Sequence, residues 1–165
     1  MIPADHTRLI VERDLEAAQS WAGRHGVELA WLPEALELRA TLQQPETGEL
    51  FFLRGNFRDY EALAPGWTFT DEKWQGTGRP ADFPKGVQTS FGASIFISHN
   101  QTAVICVPFN RLAYADNAGP HGDWGGPANW SNAGVSSHIH AETVGDMLQA
   151  IHRDFCLTRE RMAKS

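Results

Sequence analysis

Between residues 27 and 70 the apolar side chains alternate with polar ones, and this period of two constrains the chain more than any other feature. Val27, Leu29 and Trp31 fall on one face of an extended segment. Leu36, Leu38, Ala40 and Leu42 fall on one face of a second, with Glu37, Arg39 and Thr41 on the other. Successive side chains of a strand point to opposite sides, so the pattern describes strands with one buried face. Gln44-Pro45-Glu46-Thr47-Gly48 reads as a turn. The apolar run from Leu50 to Leu53 opens a third strand and predicts burial on both of its faces. Trp67 and Phe69 mark a fourth. The expected strands span 27–32, 36–42, 49–56 and 67–70, arranged as an antiparallel meander.

Helical spacing brackets this region. Leu15, Ala18 and Ala22, with Trp21 at the flank, predict a helix over 7–25, stopped by Gly26. Near the other end, Thr143 is placed to cap a helix over 143–155, with Asp146 three residues on. There Val144, Met147, Leu148, Ile151 and Phe155 share one face and read as core. A chain of 165 residues suits one domain with one core. The expectation is therefore a single α+β domain over 1–165, its two helices covering one face of a four-stranded sheet.

The stretch between is poorer in pattern. Residues 71–90 read as a long loop, and 95–97 and 104–107 as short apolar runs around a polar turn. Residues 115–137 are crowded with Gly, Pro, Asn and Ser. Structureless segments of that length are uncommon and are often functional. Leaving Trp124 and Trp130 in water is costly, so residues 117–137 are expected to form a flap beside Cys106, with at least one of these Trp side chains packed back onto the domain and holding His121 near the thiol. A short polar helix is expected to finish the chain.

Charge and composition exclude some functions. The formal net charge of −6 argues against a duplex-binding protein, which needs clustered Lys and Arg on phosphates. Arg159, Arg161 and Lys164 form the one basic cluster and read as a solvated tail. No apolar run approaches the roughly 18 residues of a membrane span, and no secretory signal precedes the first helix. A cytoplasmic location is expected, with Cys106 and Cys156 as free thiols.

Three stretches, in order, carry a resemblance. Tyr60, Pro65 and Phe69 stand in the segment Tyr60-Glu61-Ala62-Leu63-Ala64-Pro65-Gly66-Trp67-Thr68-Phe69. Ser98-His99-Asn100 is followed by Val104-Ile105-Cys106-Val107. Trp130-Ser131-Asn132-Ala133 precedes the helix over 143–155. Together these resemble the ubiquitin-conjugating enzymes, which show Tyr-Pro-x-x-Pro-Pro, His-Pro-Asn before Ile-Cys-Leu, and Trp-Ser-Pro-Ala. Glu61 and Ala64 replace two of the family's prolines, and His99 is followed directly by Asn100, with no proline in the motif. The interval from Asn100 to Cys106 is shorter than usual, and that from Cys106 to Trp130 much longer. The combination looks like a divergent, prokaryotic-type member.

The resemblance implies a UBC-like fold and thioester exchange. Cys106 would accept the C-terminal carbonyl of a ubiquitin-like protein from an activating enzyme and pass it to an amine on a target protein, without a cofactor. A thiolate is the nucleophile, and a free thiol ionises near about 8.5, so a few per cent is reactive at neutrality. Pro108 lacks an N–H and ends the strand that carries Cys106. Asn100 is the resemblance's candidate for an oxyanion donor, or else it braces the loop as a turn residue. His99 is a candidate hydrogen-bond partner of that loop. His121 is a candidate general base, and Asp123, with Asp116 as a rival, a candidate proton acceptor from an incoming amine. His138 and His140 alternate and, with His121, would form a zinc set, but two histidines at that spacing assign no metal. Cys156, beside Phe155, reads as structural.

Three functions follow from these residues. The first is a conjugating enzyme charged at Cys106. The second is an inactive UBC-like module that docks a ubiquitin-like protein or an activating enzyme. The third is a Cys/His hydrolase, which requires His121 or His99 to pair directly with Cys106.

Overall fold

The computed structural model describes residues 1–90, 92–133 and 139–162. Helix α1 spans Ala4–Arg24 and buries Thr7, Val11, Ala18, Trp21 and Ala22. These positions recur mostly at three-, four- and seven-residue steps, which makes one stripe. The buried Thr7 hydroxyl is satisfied, donating to the Tyr60 carbonyl at 3.1 Å. Gly26 ends the helix as predicted, in a left-handed conformation. The Val27 N–H then returns to the Ala22 carbonyl at 3.0 Å.

Four strands follow, β1 (Glu28–Leu32), β2 (Glu37–Gln43), β3 (Leu50–Asn56) and β4 (Gly66–Thr70). They form one antiparallel sheet in sequence order. The register pairs Leu38 with Gly55, Ala40 with Leu53 and Leu42 with Phe51. It then pairs Leu53 with Phe69 and Gly55 with Trp67, so these large apolar residues collect on one face. Gly55 is required there, because a Cβ would stand 2.7 Å from the Trp67 indole.

One expectation about the sheet changes. β3 is not buried on both faces: Phe51 and Leu53 are buried, Leu50 is exposed, and Phe52 is half covered by the edge of Trp74. The strand buried on both sides is β4, whose Thr68 hydroxyl accepts from the Gly78 N–H at 3.1 Å.

Helix α2 (Val144–Phe155) lies against α1 and the sheet. Thr143 caps it as expected, accepting from the Asp146 N–H at 3.2 Å. That bond satisfies one of the free N–H groups of the first turn. Phe155 meets Phe51 edge-on with ring centres 5.4 Å apart, which seats the helix on the apolar face. The edge-on arrangement is one that aromatic pairs prefer. The architecture is thus α+β: an N-terminal helix, a four-stranded antiparallel sheet and a C-terminal helix. No helix among the described residues is long and apolar enough to cross a membrane.

The described part of the chain does not finish in a polar helix. Residues 157–162 run back beside residues 83–85. The Lys85 N–H meets the Glu160 carbonyl at 2.8 Å, and the Met162 N–H meets the Phe83 carbonyl at 2.9 Å. Nor is Arg161 a solvated charge. It binds Glu49, the Ala81 carbonyl and the Leu50 carbonyl, with its guanidinium 4.0 Å from the Phe51 ring centre. A guanidinium over a ring face is held by the ring's quadrupole as well as by its stem's packing.

The polar turn between the two apolar runs becomes a hairpin of β5 (Phe96–His99) and β6 (Thr102–Ile105). Asn100 and Gln101 both take left-handed conformations. Two such residues make the turn whose twist matches that of the flanking strands.

Candidate active site

Cys106 is the first residue beyond β6, and its N–H donates to the Ile95 carbonyl at 2.7 Å. The strand end is fixed by a residue the sequence did not single out. Asn110, fully buried, donates to the Ile105 carbonyl at 2.8 Å and to the Trp67 carbonyl at 3.1 Å. Its side-chain oxygen accepts from the Trp67 N–H at 2.9 Å and the Leu112 N–H at 3.2 Å. One amide therefore ties β4 to the end of β6 and caps the turn that follows. The Tyr114 hydroxyl adds a second tie, donating to the Pro108 carbonyl at 2.6 Å. A lone Asn in Pro108-Phe109-Asn110 carries no signal that separates it from any turn Asn.

Beyond Tyr114 the chain makes a tight excursion and returns. The His121 N–H donates to the Ala113 carbonyl at 3.0 Å, and the Ala115 N–H to the His121 carbonyl at 3.0 Å. The Gly119 N–H closes the loop on the Tyr114 carbonyl at 2.9 Å. This return delivers His121 to the thiol: its Nε2 lies 2.7 Å from the Cys106 Sγ. Its Nδ1 lies 3.1 Å from an Asp123 carboxylate oxygen. The Trp124 indole stacks on the imidazole, ring centres 3.6 Å apart and planes within 5°, and meets Tyr114 edge-on at 5.4 Å.

The expectation of a flap that holds His121 at Cys106 therefore agrees with the structure over the described residues. Trp130 also packs inward, buried beside Tyr60, its indole N–H donating to the Glu61 carbonyl at 3.0 Å.

The Asp123 carboxylate is an acceptor for Nδ1–H, and in the neutral ring with that tautomer Nε2 faces the thiol as an acceptor. Burial, with the Asp123 charge adding, pushes the Cys106 thiol up to about 11. The hydrogen bond from His121 holds the exposed Asp123 carboxyl below its ordinary value. At neutral pH the sulfur is thus held as the thiol. Such an arrangement suits general-base transfer better than a standing thiolate.

His99 and Asn100 do not join this group. They sit at the hairpin turn, where the Asn100 amide lies 3.2 Å from the His99 ring. All of β6, Thr102–Ile105, separates them from Cys106. A strand of that length spans on the order of 10 Å. The extended strand that exposes the cysteine is what carries Asn100 away, so an oxyanion role for Asn100 does not fit this geometry. Asp116 is exposed in the short turn Ala115–Asn117, and Asp123 is the carboxylate on the imidazole. Cys156 ends α2, its sulfur 3.4 Å from the His152 ring, remote in sequence from the flap.

Among the described residues, His121 and His140 do not come together as a zinc pair. Both ring nitrogens of His121 are engaged by Cys106 and Asp123, and His140 faces Glu142 at 3.8 Å. His138 lies outside the described residues, among which no cluster of three metal-ligating side chains occurs.

No protein-family model, no curated protein and no solved structure matches this chain. The site's chemistry must therefore be read from its own atoms. A thiol, an imidazole against it and a carboxylate behind the imidazole stand in one line of contacts, an order of groups that can support nucleophilic chemistry at sulfur.

Proposed function

We propose that this protein is a ubiquitin-conjugating-enzyme-like acyl carrier, charged on Cys106 with a ubiquitin-like protein and discharged to an amine. The direct contact of His121 with Cys106 carries this reading. It supplies a reason for the cysteine to be reactive, which a docking module would not need. The helix, meander, hairpin and helix order, together with the motifs around Tyr60, Cys106 and Trp130, supports the UBC-like part of the reading.

In the forward step the thiol proton moves to His121 Nε2, and sulfur attacks the thioester carbonyl presented by the activating enzyme. A new thioester forms on Cys106, and the donor thiolate leaves and takes the proton back from His121, which restores the neutral base. In the second step a target amine attacks this carbonyl, its proton passes to the base, and the Cys106 thiolate leaves and is reprotonated. Asp123 holds the imidazole in the required tautomer and balances its charge. ATP is consumed by the activating enzyme, so this chain needs no cofactor.

The same contact favours a second reading, a Cys-His-Asp hydrolase in which water replaces the amine. The test separates the two. With its genuine activating enzyme, the ubiquitin-like protein and ATP, the wild type gives a larger species on a non-reducing gel. Dithiothreitol dissolves that species by thiol exchange. Cys106→Ala abolishes it and Cys156→Ala does not, while Cys106→Ser yields an ester that resists thiol and yields to hydroxide. Added amine discharges the thioester to an amide. Release of free acid at the same rate with or without amine selects the hydrolase. No charging at all sinks the carrier and selects the docking module.

A further inference from the structure

We propose that Trp124 is a platform for the charged form of His121, stabilising the imidazolium that the ring becomes when it takes the Cys106 proton. The argument begins with the shape of the stack. Two neutral aromatic rings avoid a direct sandwich, because their negative faces repel; they offset or turn edge-on. Tyr114 against Trp124 follows that rule, as do Phe51 against Phe69 and Phe57 against Tyr60 in the core. Trp124 and His121 do not: their centres are 3.6 Å apart with planes within 5°, a near-complete overlay. A positive ring over an indole face is the case in which full overlay is favourable, since the charge sits on the negative quadrupole.

The placement of Trp124 supports this. Its indole is half buried and braced by Tyr114, whose hydroxyl is anchored to Pro108, two residues from the nucleophile. Platform, imidazole and sulfur thus belong to one closed set of contacts. The groups facing His121 among the described residues are the Cys106 thiol and the Asp123 carboxylate, with Asp116 on the same loop near Tyr114. Asp123 is largely exposed to water, so its field on the ring is screened. The indole, lying against the ring with no water between, adds a stabilisation that screening does not remove.

The consequence is functional and rests on reading Cys106 and His121 as a working pair. A sulfur whose proton is held as tightly as this one needs a base made stronger by its surroundings. Trp124 is then a positioning residue that acts through His121.

The test requires no acyl donor, so it is independent of what Cys106 carries. Histidine-labelled full-length protein is titrated by NMR in a Cys106→Ser background, and the His121 signal is identified by its loss in His121→Gln. Trp124→Leu is expected to lower the His121 midpoint by about half a pH unit, the size of a modest cation–π contribution. Trp124→Phe, which keeps a π face, is expected to fall between parent and Leu. Equal midpoints in all three proteins would overturn the proposal. So would equal lowering by Phe and Leu, which would show that indole bulk, not the π face, sets the titration.

Discussion

Gly119 decides whether the base reaches the thiol. A Cβ built there would stand 2.3 Å from the Ala113 carbonyl carbon, 2.4 Å from the Leu112 oxygen and 2.5 Å from the Ala113 oxygen. All three are backbone atoms that cannot rotate away. Ordinary contact needs more than about 3.4 Å, so Gly119→Ala must push the loop outward by about 1 Å. The displaced segment includes the Gly119–Tyr114 and His121–Ala113 hydrogen bonds, at 2.9 and 3.0 Å. Losing both costs about 2 kcal/mol at roughly 1 kcal/mol each. The same shift opens the 2.7 Å contact between Nε2 and sulfur. A displacement of about 1 Å at a reacting pair is worth about 10²-fold in rate. The assay is the second-order rate of Cys106 alkylation by iodoacetamide at pH 7 in a Cys156→Ser background, with a thermal melt alongside. Gly119→Ala should lose about two orders of magnitude and approach His121→Ala, while remaining folded. A rate within about twofold of the parent would refute the claim that this return loop sets the position of the base.

Asn110→Ala removes an amide with four hydrogen bonds and leaves two Trp67 backbone groups and the Ile105 carbonyl buried without it. Destabilisation of about 3–5 kcal/mol is expected in urea titration, larger than any single flap substitution. Thr143→Ala removes the α2 cap. It should cost about 1 kcal/mol in the same titration while leaving Cys106 alkylation unchanged.

The parts of this structure that the sequence foretold are those set by periodicity. Alternation places β1, β2 and β4 within a residue or so, because an out-of-register strand would turn Leu38, Ala40 and Leu42 to water. Helix α2 and its Thr143 cap follow from spacing for the same reason. The errors lie where long-range pairing overrides local pattern. Leu50 looks buried in sequence but is exposed at the first position of β3, and the polar tail becomes extended because Phe83 and Lys85 offer it backbone partners.

At the site, His121 and Asp123 were legible as residue types in a loop too long to be idle, and Cys106 as a thiol at the end of a strand. Which histidine would meet the sulfur was not fixed by spacing alone. The His99-Asn100 motif was misleading because Asn with φ above zero is what a two-residue hairpin demands, whatever else the motif resembles. Asn110 and Tyr114 stayed hidden, since their importance lies in backbone carbonyls that come together only when the chain has folded around β4 and β6.

The central claim is that Cys106 is worked by His121, and the pH dependence of Cys106 alkylation tests it most directly. Burial and the Asp123 charge raise the thiol to about 11, so alone it would stay protonated and slow through neutrality. Without the imidazole, in His121→Ala, the rate should rise only in the alkaline range, toward about 11. A free cysteine, by contrast, titrates at roughly 8.5. With the imidazole present, in the Cys156→Ser parent, the reaction should already be appreciable in the neutral range, since the base removes the proton during attack. Profiles of parent and His121→Ala that superimpose through that range would contradict the account, and would leave Cys106 an ordinary buried thiol.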